Sequence, residues 1–279
     1  MDIQWYPGHM TKARRMMQED IKLIDLVIEL TDARAPLSGR NPDIDELAKN
    51  KSRVILLNKA DMADERMTRC WEDYFRKAGF KAAAVNSRAS TDMKQVWQII
   101  TEASQEKVER DRKKGIQNRP VRAMIAGIPN VGKSTFINSF AGKASAKTGN
   151  KPGVTKGKQW IRPQKGIELL DTPGILWPKI DDAQVGTRLA ALGSVRDEIL
   201  QTEELSLWVL DFLVKEYPGF LAARYQIDEG QDSLKLLADI ARVRGCLKKG
   251  GEPDYERAAS ILLDDFRSGR IGRITLERP

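Results

Sequence analysis

Four short apolar runs alternate with stretches of helical spacing along the first half of the chain. The apolar runs cover residues 24–30, 54–57, 82–85 and 123–126. Continuous apolar runs of this length are typical of parallel strands that are buried on both faces. The stretches between them, residues 44–49, 64–77 and 92–108, have the spacing of helices. This alternation predicts an α/β fold in which a mostly parallel sheet carries helices on both faces.

The pattern changes in the second half of the chain. Residues 159–161 and 167–170 predict a hairpin of two further strands, whereas everything from about residue 183 onward has helical spacing. We therefore predict an α/β domain over residues 1–178 and an all-helical domain over residues 179–279. The polar and basic stretch 110–120 contains Gly115 and Pro120, and we expect it to be a linker between a helix and the next strand.

Composition narrows the class of protein. With 41% hydrophobic and 31% charged residues, the 279-residue chain has the balance of an ordinary folded protein. Its two cysteines, Cys70 and Cys246, are isolated and His9 is the single histidine, so a structural zinc site is not expected. No apolar run approaches the length of a membrane span. We expect a cytoplasmic monomer that does not engage a membrane.

The net charge of +8 favours a polyanionic partner. Basic residues are concentrated in the stretches 107–122 and 242–249. Such clusters would make salt-sensitive contacts to nucleic-acid phosphates, while a solvated surface remains the alternative for either cluster alone.

A phosphate-binding motif follows the strand predicted at 123–126. The sequence from Gly127 to Ser134 is GIPNVGKS, which matches the Walker A pattern and precedes a helical stretch. Backbone N–H groups of such a loop surround phosphates, Lys133 reaches the β- and γ-phosphates, and Ser134 ligates Mg²⁺. The expected nucleotide contacts in this loop are Asn130, Val131, Gly132, Lys133, Ser134 and Thr135.

Two further segments are expected to respond to the γ-phosphate. In Asp171-Thr172-Pro173-Gly174, Asp171 would hold Mg²⁺ through water and the Gly174 N–H would contact the γ-phosphate. The Thr155 hydroxyl would complete the Mg²⁺ shell in the triphosphate state, although an ordinary loop threonine is the alternative.

The tetrapeptide Asn58-Lys59-Ala60-Asp61 identifies the base. A carboxylate such as Asp61 accepts two hydrogen bonds from the N1–H and N2–H₂ groups of guanine, whereas adenine offers no such pair. Asn58 is expected to tie this loop to the phosphate loop, and the Lys59 stem to pack along the base. Asn86 and Ser87 follow the next strand and fit a loop whose backbone N–H meets guanine O6.

These motifs occur in an unusual order, because the base motifs precede the phosphate loop. Together with Trp5-Tyr6-Pro7-Gly8-His9-Met10 and Asp32-Ala33-Arg34, they resemble the circularly permuted ribosome biogenesis GTPase A family along essentially the whole chain. The resemblance implies binding of GTP and GDP with Mg²⁺, GTP hydrolysis, and late assembly of the large (50S) ribosomal subunit. The implied partners are the subunit precursor and its rRNA, which the helical domain would bind under control of the nucleotide. The alternative function is a GTP-gated binding module for a protein or membrane partner, with slow hydrolysis as a timer.

The group that positions the attacking water is not obvious from the motifs. Many GTPases carry a glutamine after the DxxG motif, but here Ile175 and Leu176 follow. His9 could position water or act as a base, as the resemblance implies, although it could equally be an ordinary turn residue. The resemblance also implies that Asn130 coordinates K⁺, with a loop-supporting asparagine as the alternative. The candidate catalytic residues are His9, Lys133 and Thr155.

The permuted order has a mechanical implication. Restoring the usual order places the cut just after Gly174, so residues 175–179 run directly into the helical domain. The hypothesis that follows is that γ-phosphate-dependent ordering of Gly174 reorients the helical domain and thereby controls affinity for rRNA.

Overall fold

The chain forms two compact units. The computed structural model describes residues 8–117, 119–142, 159–163 and 166–279, without the side chains of His9 and Ile199. One unit holds the described residues up to Asp181 together with Thr275–Pro279, and the other holds Asp182–Ile274. The sequence predicts that residues 179–279 stay together, but the last five residues belong to the first unit.

A six-stranded sheet forms the centre of the first unit. Its strands are β1 (Leu26–Asp32), β2 (Ser52–Asn58), β3 (Lys81–Val85), β4 (Val121–Ala126), β5 (Gln159–Ile161) and β6 (Ile167–Asp171), in the order β3-β2-β1-β4-β6-β5. Only β5 runs antiparallel to its neighbour. All seven residues of β1 are buried, as the continuous apolar run predicts for a central strand covered on both faces. The predicted α/β fold is confirmed.

Helices cover the sheet. They are α1 (Gly8–Asp20), α2 (Pro42–Leu47), α3 (Glu65–Lys77), α4 (Ser90–Lys113) and α5 (Lys133–Ala141). In α3, Asp64 caps the N-terminus by accepting a hydrogen bond from Met67 N, and Trp71 and Phe75 bury the same face four residues apart. Their rings join a cluster with residues of β2 and with Ala33 and Ala63, which fixes α3 against the sheet.

Two helix boundaries differ from the sequence expectation. The stretch 110–120 was expected to be a linker, but α4 continues to Lys113 because Lys107 pairs with Asp111 one turn later and basic residues complement its C-terminal dipole. The predicted elements did not include α1. Its buried residues Met10, Ala13 and Met17 are spaced by three and four, a weak helical signal in a polar segment.

The second unit is helical, as predicted. Its helices are α6 (Ala183–Ala191), α7 (Thr202–Glu216), α8 (Phe220–Tyr225), α9 (Ser233–Val243) and α10 (Tyr255–Arg267). Asp182, Asp232 and Asp254 cap α6, α9 and α10 by accepting hydrogen bonds from backbone N–H groups. None of the helices in the described ranges of either unit is long and apolar enough to cross a membrane.

Candidate functional site

The predicted motifs converge at one edge of the sheet. The parallel register places Asp32 beside Asn58 and Asn58 beside Val85, so the carboxyl ends of these strands meet at one edge. In parallel sheets this edge is where ligands bind. The loops at this edge are the base loop (residues 58–61), the second base loop (Asn86 and Ser87), the phosphate loop (residues 127–134) and the segment from Asp171 to Gly174.

Asn58 connects three of these loops. Its Nδ2 donates to the Val131 carbonyl at 2.8 Å, and its Oδ1 accepts from the hydroxyl and the backbone N–H of Ser87 at 2.7 and 3.2 Å. The expected tie between Asn58 and the phosphate loop is therefore present. A Cβ on Gly132 would lie 2.5 Å from Asn58 Nδ2, and the φ of Gly132 is +95°, so this position requires glycine.

The phosphate loop ends at the N-terminus of α5. Gly132 precedes the helix, which begins at Lys133, so Ser134 and Thr135 lie in its first turn. The first N–H groups of a helix have no carbonyl partner within the helix and lie at the positive end of its dipole. This geometry favours a bound phosphate.

The Lys133 ammonium faces the interior of this loop. Its Nζ donates to the carbonyls of Gly127 and Ile128 at 2.9 and 2.8 Å. Burial lowers the pKa of Lys133 to about 8, against the opposing effect of the Asp171 carboxylate. Gly174 lies against the same loop, since a Cβ there would be 2.7 Å from Lys133 Nζ and 2.9 Å from the Cα of Pro129. A side chain at residue 174 would therefore displace the lysine or the loop.

Asp171 has the character of a cation ligand. Its Oδ1 is buried and has no hydrogen-bond partner among the residues that the structure describes. Burial raises the pKa of Asp171 to about 6, although the Lys133 charge acts in the opposite direction. Mg²⁺ prefers carboxylate and hydroxyl oxygens, so Asp171 and Ser134 fit that ion. Thr155, the third predicted Mg²⁺ ligand, lies outside the described residues.

A buried ionic network supports the base loop. Asp32 Oδ2 pairs with Lys59 Nζ at 2.9 Å, and the Asp32 carboxylate also accepts from Arg34 Nε and Nη2, both at 2.9 Å. Burial alone would raise the pKa of Asp32, but the charges of Arg34 and Lys59 outweigh it and hold that pKa well below its usual range. In the sequence, the Asp-Ala-Arg segment points only to a family resemblance, and no local pattern predicts that it supports Lys59.

The rest of the base loop forms a tight turn. Lys59 adopts a left-handed conformation with φ of 59°, and Ala60–Met62 forms a 3₁₀ turn. Met62 N closes this turn by donating to the Lys59 carbonyl at 2.9 Å. Asp61, the predicted guanine ligand, is half-buried within the turn.

The N–H groups of the second base loop and of Arg88, which follows it, already have acceptors. Asn86 N donates to Asp92 Oδ2 at 2.8 Å, Ser87 N donates to Asn58, and Arg88 N donates to Asn86 Oδ1 at 2.9 Å. The last of these bonds is exposed to solvent. Guanine O6 would therefore most easily accept a hydrogen bond from the Arg88 N–H, either in place of Asn86 Oδ1 or together with it.

The segment after Gly174 is apolar and buried. Ile175 and Leu176 are 1% and 0% exposed, and the Ile175 carbonyl accepts from Asn41 Nδ2 at 3.3 Å. Neither side chain can hydrogen-bond to water, so the prediction that the usual glutamine role is vacant here stays a prediction that fits this burial. His9, the candidate for that role, is the second residue of α1, but its side chain lies outside the described part of the chain.

Ion pairs neutralise part of the first basic cluster. Lys107 pairs with Asp111, Arg119 lies 3.3 Å from Asp25, and Arg122 lies 3.1 Å from Glu168. Four exposed residues near the end of α4 form no ion pair with any described residue: Arg110, Arg112, Lys113 and Lys114. These four define the α4 basic patch.

The chain is similar to GTPases that act with ribosomes. Residues 122–241 match the family described as 50S ribosome-binding GTPase. Ribosome biogenesis GTPase A of Bacillus cereus is 49% identical over 280 residues, covering 100% of this chain and 95% of that protein. A GDP-bound YlqF structure has a TM-score of 0.71 at 29% identity, covering 95% of this chain and 99% of that one. GNP-bound YlqF from T. maritima has a TM-score of 0.69 at 30% identity, covering 96% and 98%.

Proposed function

We propose that this chain, which belongs to the ribosome biogenesis GTPase A family, hydrolyses GTP as an assembly factor of the large ribosomal subunit. The observation that carries the proposal is the Asn58 side chain, which holds the base loop, the second base loop and the phosphate loop together at one sheet edge. A guanine nucleotide is a ligand whose base and phosphates contact such loops simultaneously. We further propose that the chain works as a cytoplasmic monomer.

Asp61 recognises the guanine edge, and the phosphate loop binds the phosphates. The Lys133 ammonium donates to the carbonyls of Gly127 and Ile128 in this structure. Phosphate oxygens are stronger hydrogen-bond acceptors for an ammonium group, so a bound nucleotide would replace these carbonyls. Ser134 would ligate Mg²⁺ and Asp171 would hold it through water, with Thr155 as a further ligand in the triphosphate state. When bound, Mg²⁺ offsets the negative charge that develops during phosphoryl transfer.

Gly174 senses the γ-phosphate. The Gly174 backbone lies beside Lys133 and Pro129. The γ-phosphate of GTP would therefore have to fit between Gly174 and the phosphate loop, and Gly174 would shift to admit it. The buried residues Ile175 and Leu176 then carry any shift along the chain toward the helical unit. Ordering of this kind by a γ-phosphate is a common switch in GTPases.

His9 positions the attacking water in this proposal, because the usual glutamine position is apolar. We predict that His9→Ala lowers subunit-stimulated GTP turnover by at least about 100-fold, the lower end of acid–base contributions, while GDP affinity stays at the wild-type value. Single-turnover GTP hydrolysis and equilibrium binding measure the two quantities. Wild-type turnover in the variant would remove His9 from the mechanism.

Asn130 is the candidate K⁺ ligand, and K⁺ would offset charge in the transition state. Turnover measured in K⁺ and in Na⁺ at equal ionic strength tests this assignment. Equal rates in the two salts would argue against it.

The partner is tested with isolated large-subunit precursor particles. We expect faster GTP hydrolysis in their presence, and cosedimentation that is stronger with a non-hydrolysable GTP analogue than with GDP and that weakens as salt is raised. Lys133→Ala, which removes the phosphate-binding ammonium, is the control for nucleotide dependence. The alternative, a binding module for another partner, would be favoured if binding does not depend on the nucleotide or on salt and the particles do not accelerate hydrolysis.

A further inference from the structure

The end of the chain packs against the unit that carries the base loop. Residues 275–277, here called the C-terminal segment, follow the helical unit and are buried. Leu276 N donates to the Arg34 carbonyl at 2.6 Å, and Trp71 Nε1 donates to the Glu277 carbonyl at 3.1 Å. Backbone bonds at both residues therefore fix the segment beside β1 and α3.

The Glu277 carboxylate binds the loop that follows Arg34. It accepts from the backbone N–H groups of Leu37 and Ser38 and from the Ser38 hydroxyl. Glu277 is 8% exposed and Ser38 is 4% exposed, so leaving the Ser38 donors without an acceptor would cost free energy. Because Arg34 holds Asp32, and Asp32 holds Lys59, the C-terminal segment supports the base loop from its N-terminal side.

Thr275 supports the base loop from its C-terminal side. Its hydroxyl accepts a hydrogen bond from Asp64 N at 3.1 Å, three residues after Asp61. The Asp64 side chain in turn caps α3 through Met67 N at 2.9 Å. The point where the base loop enters α3 is thus held by a side chain from the far end of the sequence.

We infer that the C-terminal segment is a positioning element for guanine recognition. It holds both ends of the loop that carries Asp61, and thereby keeps this carboxylate in place for the two donors of the guanine edge. The inference rests on the proposed function, since it assumes that Asp61 contacts guanine. None of the three residues needs to touch the nucleotide.

Two conservative variants test this inference. Thr275→Val removes the acceptor for Asp64 N, and Glu277→Gln weakens the acceptor for residues 37 and 38. Glu252→Gln is the matched control, because Glu252 is an exposed glutamate of the helical unit. We expect each test variant to bind GDP about tenfold more weakly and the control to bind like wild type.

Binding of inosine diphosphate distinguishes a displaced Asp61 from a general loss of protein stability. This nucleotide lacks the 2-amino group, so Asp61 can accept only one hydrogen bond from its base. A displaced Asp61 reduces the preference for GDP over inosine diphosphate, whereas lower stability alone lowers the melting temperature and leaves this preference unchanged. Retention of the wild-type preference in both variants would overturn the inference.

A measurement on the wild-type chain covers the case in which the variants fail to fold. Because coupling is reciprocal, GDP should slow amide exchange at Leu37, Ser38 and Leu276 several-fold, with Lys248 N in the helical unit as the control. Unchanged exchange at all three amides would contradict the inference. A wild-type chain that binds GDP no better than ADP would overturn the proposed function and this inference together.

Discussion

Asp32 lies between two cations in the interior of the first unit. Both Arg34 and Lys59 bind its carboxylate, and the side chains of Asp32 and Arg34 are each only 2% exposed. Removing one partner of a buried pair leaves an uncompensated charge, which costs more than the intact pair contributes. Asp32 is therefore important for stability as well as for the position of Lys59.

We predict that Asp32→Asn lowers the free energy of unfolding by about 3–5 kcal/mol at pH 7, because Arg34 and Lys59 keep their charges without the carboxylate. Urea unfolding measures the change. Asp73→Asn is the control, since Asp73 forms only an exposed pair with Arg76, and we expect a change of at most about 0.5 kcal/mol. Equal effects of the two substitutions would contradict the role of the network.

The same variant has a defined pH dependence. The pKa of Asp32 is depressed in the folded state, so its contribution is fully present above the unfolded pKa of about 3.9 and is lost as pH falls through the lower, folded pKa. The stability difference between wild type and Asp32→Asn should therefore stay constant from pH 8 to pH 5 and shrink only below about pH 4. A difference that disappears near pH 6 would indicate another titrating group.

In the proposed function, Asp61 determines the preference for guanine over other nucleobases. We predict that Asp61→Asn shifts the preference from guanine toward xanthine nucleotides, because the amide donates to the xanthine O2 where the carboxylate accepted from the guanine amino group. Competition between GDP and xanthosine diphosphate measures the shift. An unchanged preference for GDP would remove Asp61 from base recognition.

At the scale of elements, strands were easier to predict than helix ends. Continuous apolar runs identified β1 to β4 because both faces of these strands are buried, which leaves a direct record in the sequence. The sequence pattern predicts a linker over residues 110–120, whereas the first four of these residues still belong to α4. The last turns of α4 are stabilised by an ion pair between residues four apart and by basic side chains at the negative end of the helix dipole. Neither interaction involves apolar residues, so the hydrophobic pattern does not reveal the helix end.

The extension of α4 also changes the interpretation of the basic cluster. Lys107, Arg119 and Arg122 are engaged in ion pairs within the unit, so the α4 basic patch is the part best suited to contact rRNA phosphates. Contacts of this kind release counterions, so each one contributes to the salt dependence of binding.

We predict that Arg112→Gln combined with Lys113→Gln weakens binding to subunit precursors and reduces the magnitude of the log–log salt slope by about 1–2. The control pair is Arg66→Gln with Lys77→Gln on α3, which removes the same charge from exposed positions. Cosedimentation at several salt concentrations measures both. Equal slopes for the two double variants would assign the effect to net charge alone.

At the scale of the whole molecule, the part of the chain that the structure describes passes between the helical unit and the other unit at two places. One connection follows the segment of Gly174 and crosses at residues 181 and 182, and the other lies between residues 274 and 275. The first begins at Gly174, the proposed γ-phosphate sensor, and the second leads to residues that contact both ends of the base loop. Each end of the helical unit is therefore covalently continuous with a different part of the nucleotide site.

We predict that a Gly/Ser insertion after Pro178 abolishes the dependence of subunit binding on the nucleotide, because a flexible chain cannot transmit the position of Gly174. The same insertion between Gly250 and Gly251, an exposed turn of the helical unit, is the control and should leave the dependence intact. Cosedimentation with GDP and with the GTP analogue measures the dependence. Intact coupling in the first variant would refute the mechanical role of this connection.

The sequence by itself determined the fold class, the nucleotide motifs and the family. These depend on residues that are close together in the chain: a strand leaves an apolar run, and a phosphate or a guanine edge requires particular residues at short spacing. Tertiary structure alone decided that Asn58 also binds Ser87, that Asp32 and Arg34 support Lys59, and that Glu277 reaches Ser38, 239 positions away. Such contacts join residues that are distant along the chain, and local patterns hold no information about a partner that only folding brings near.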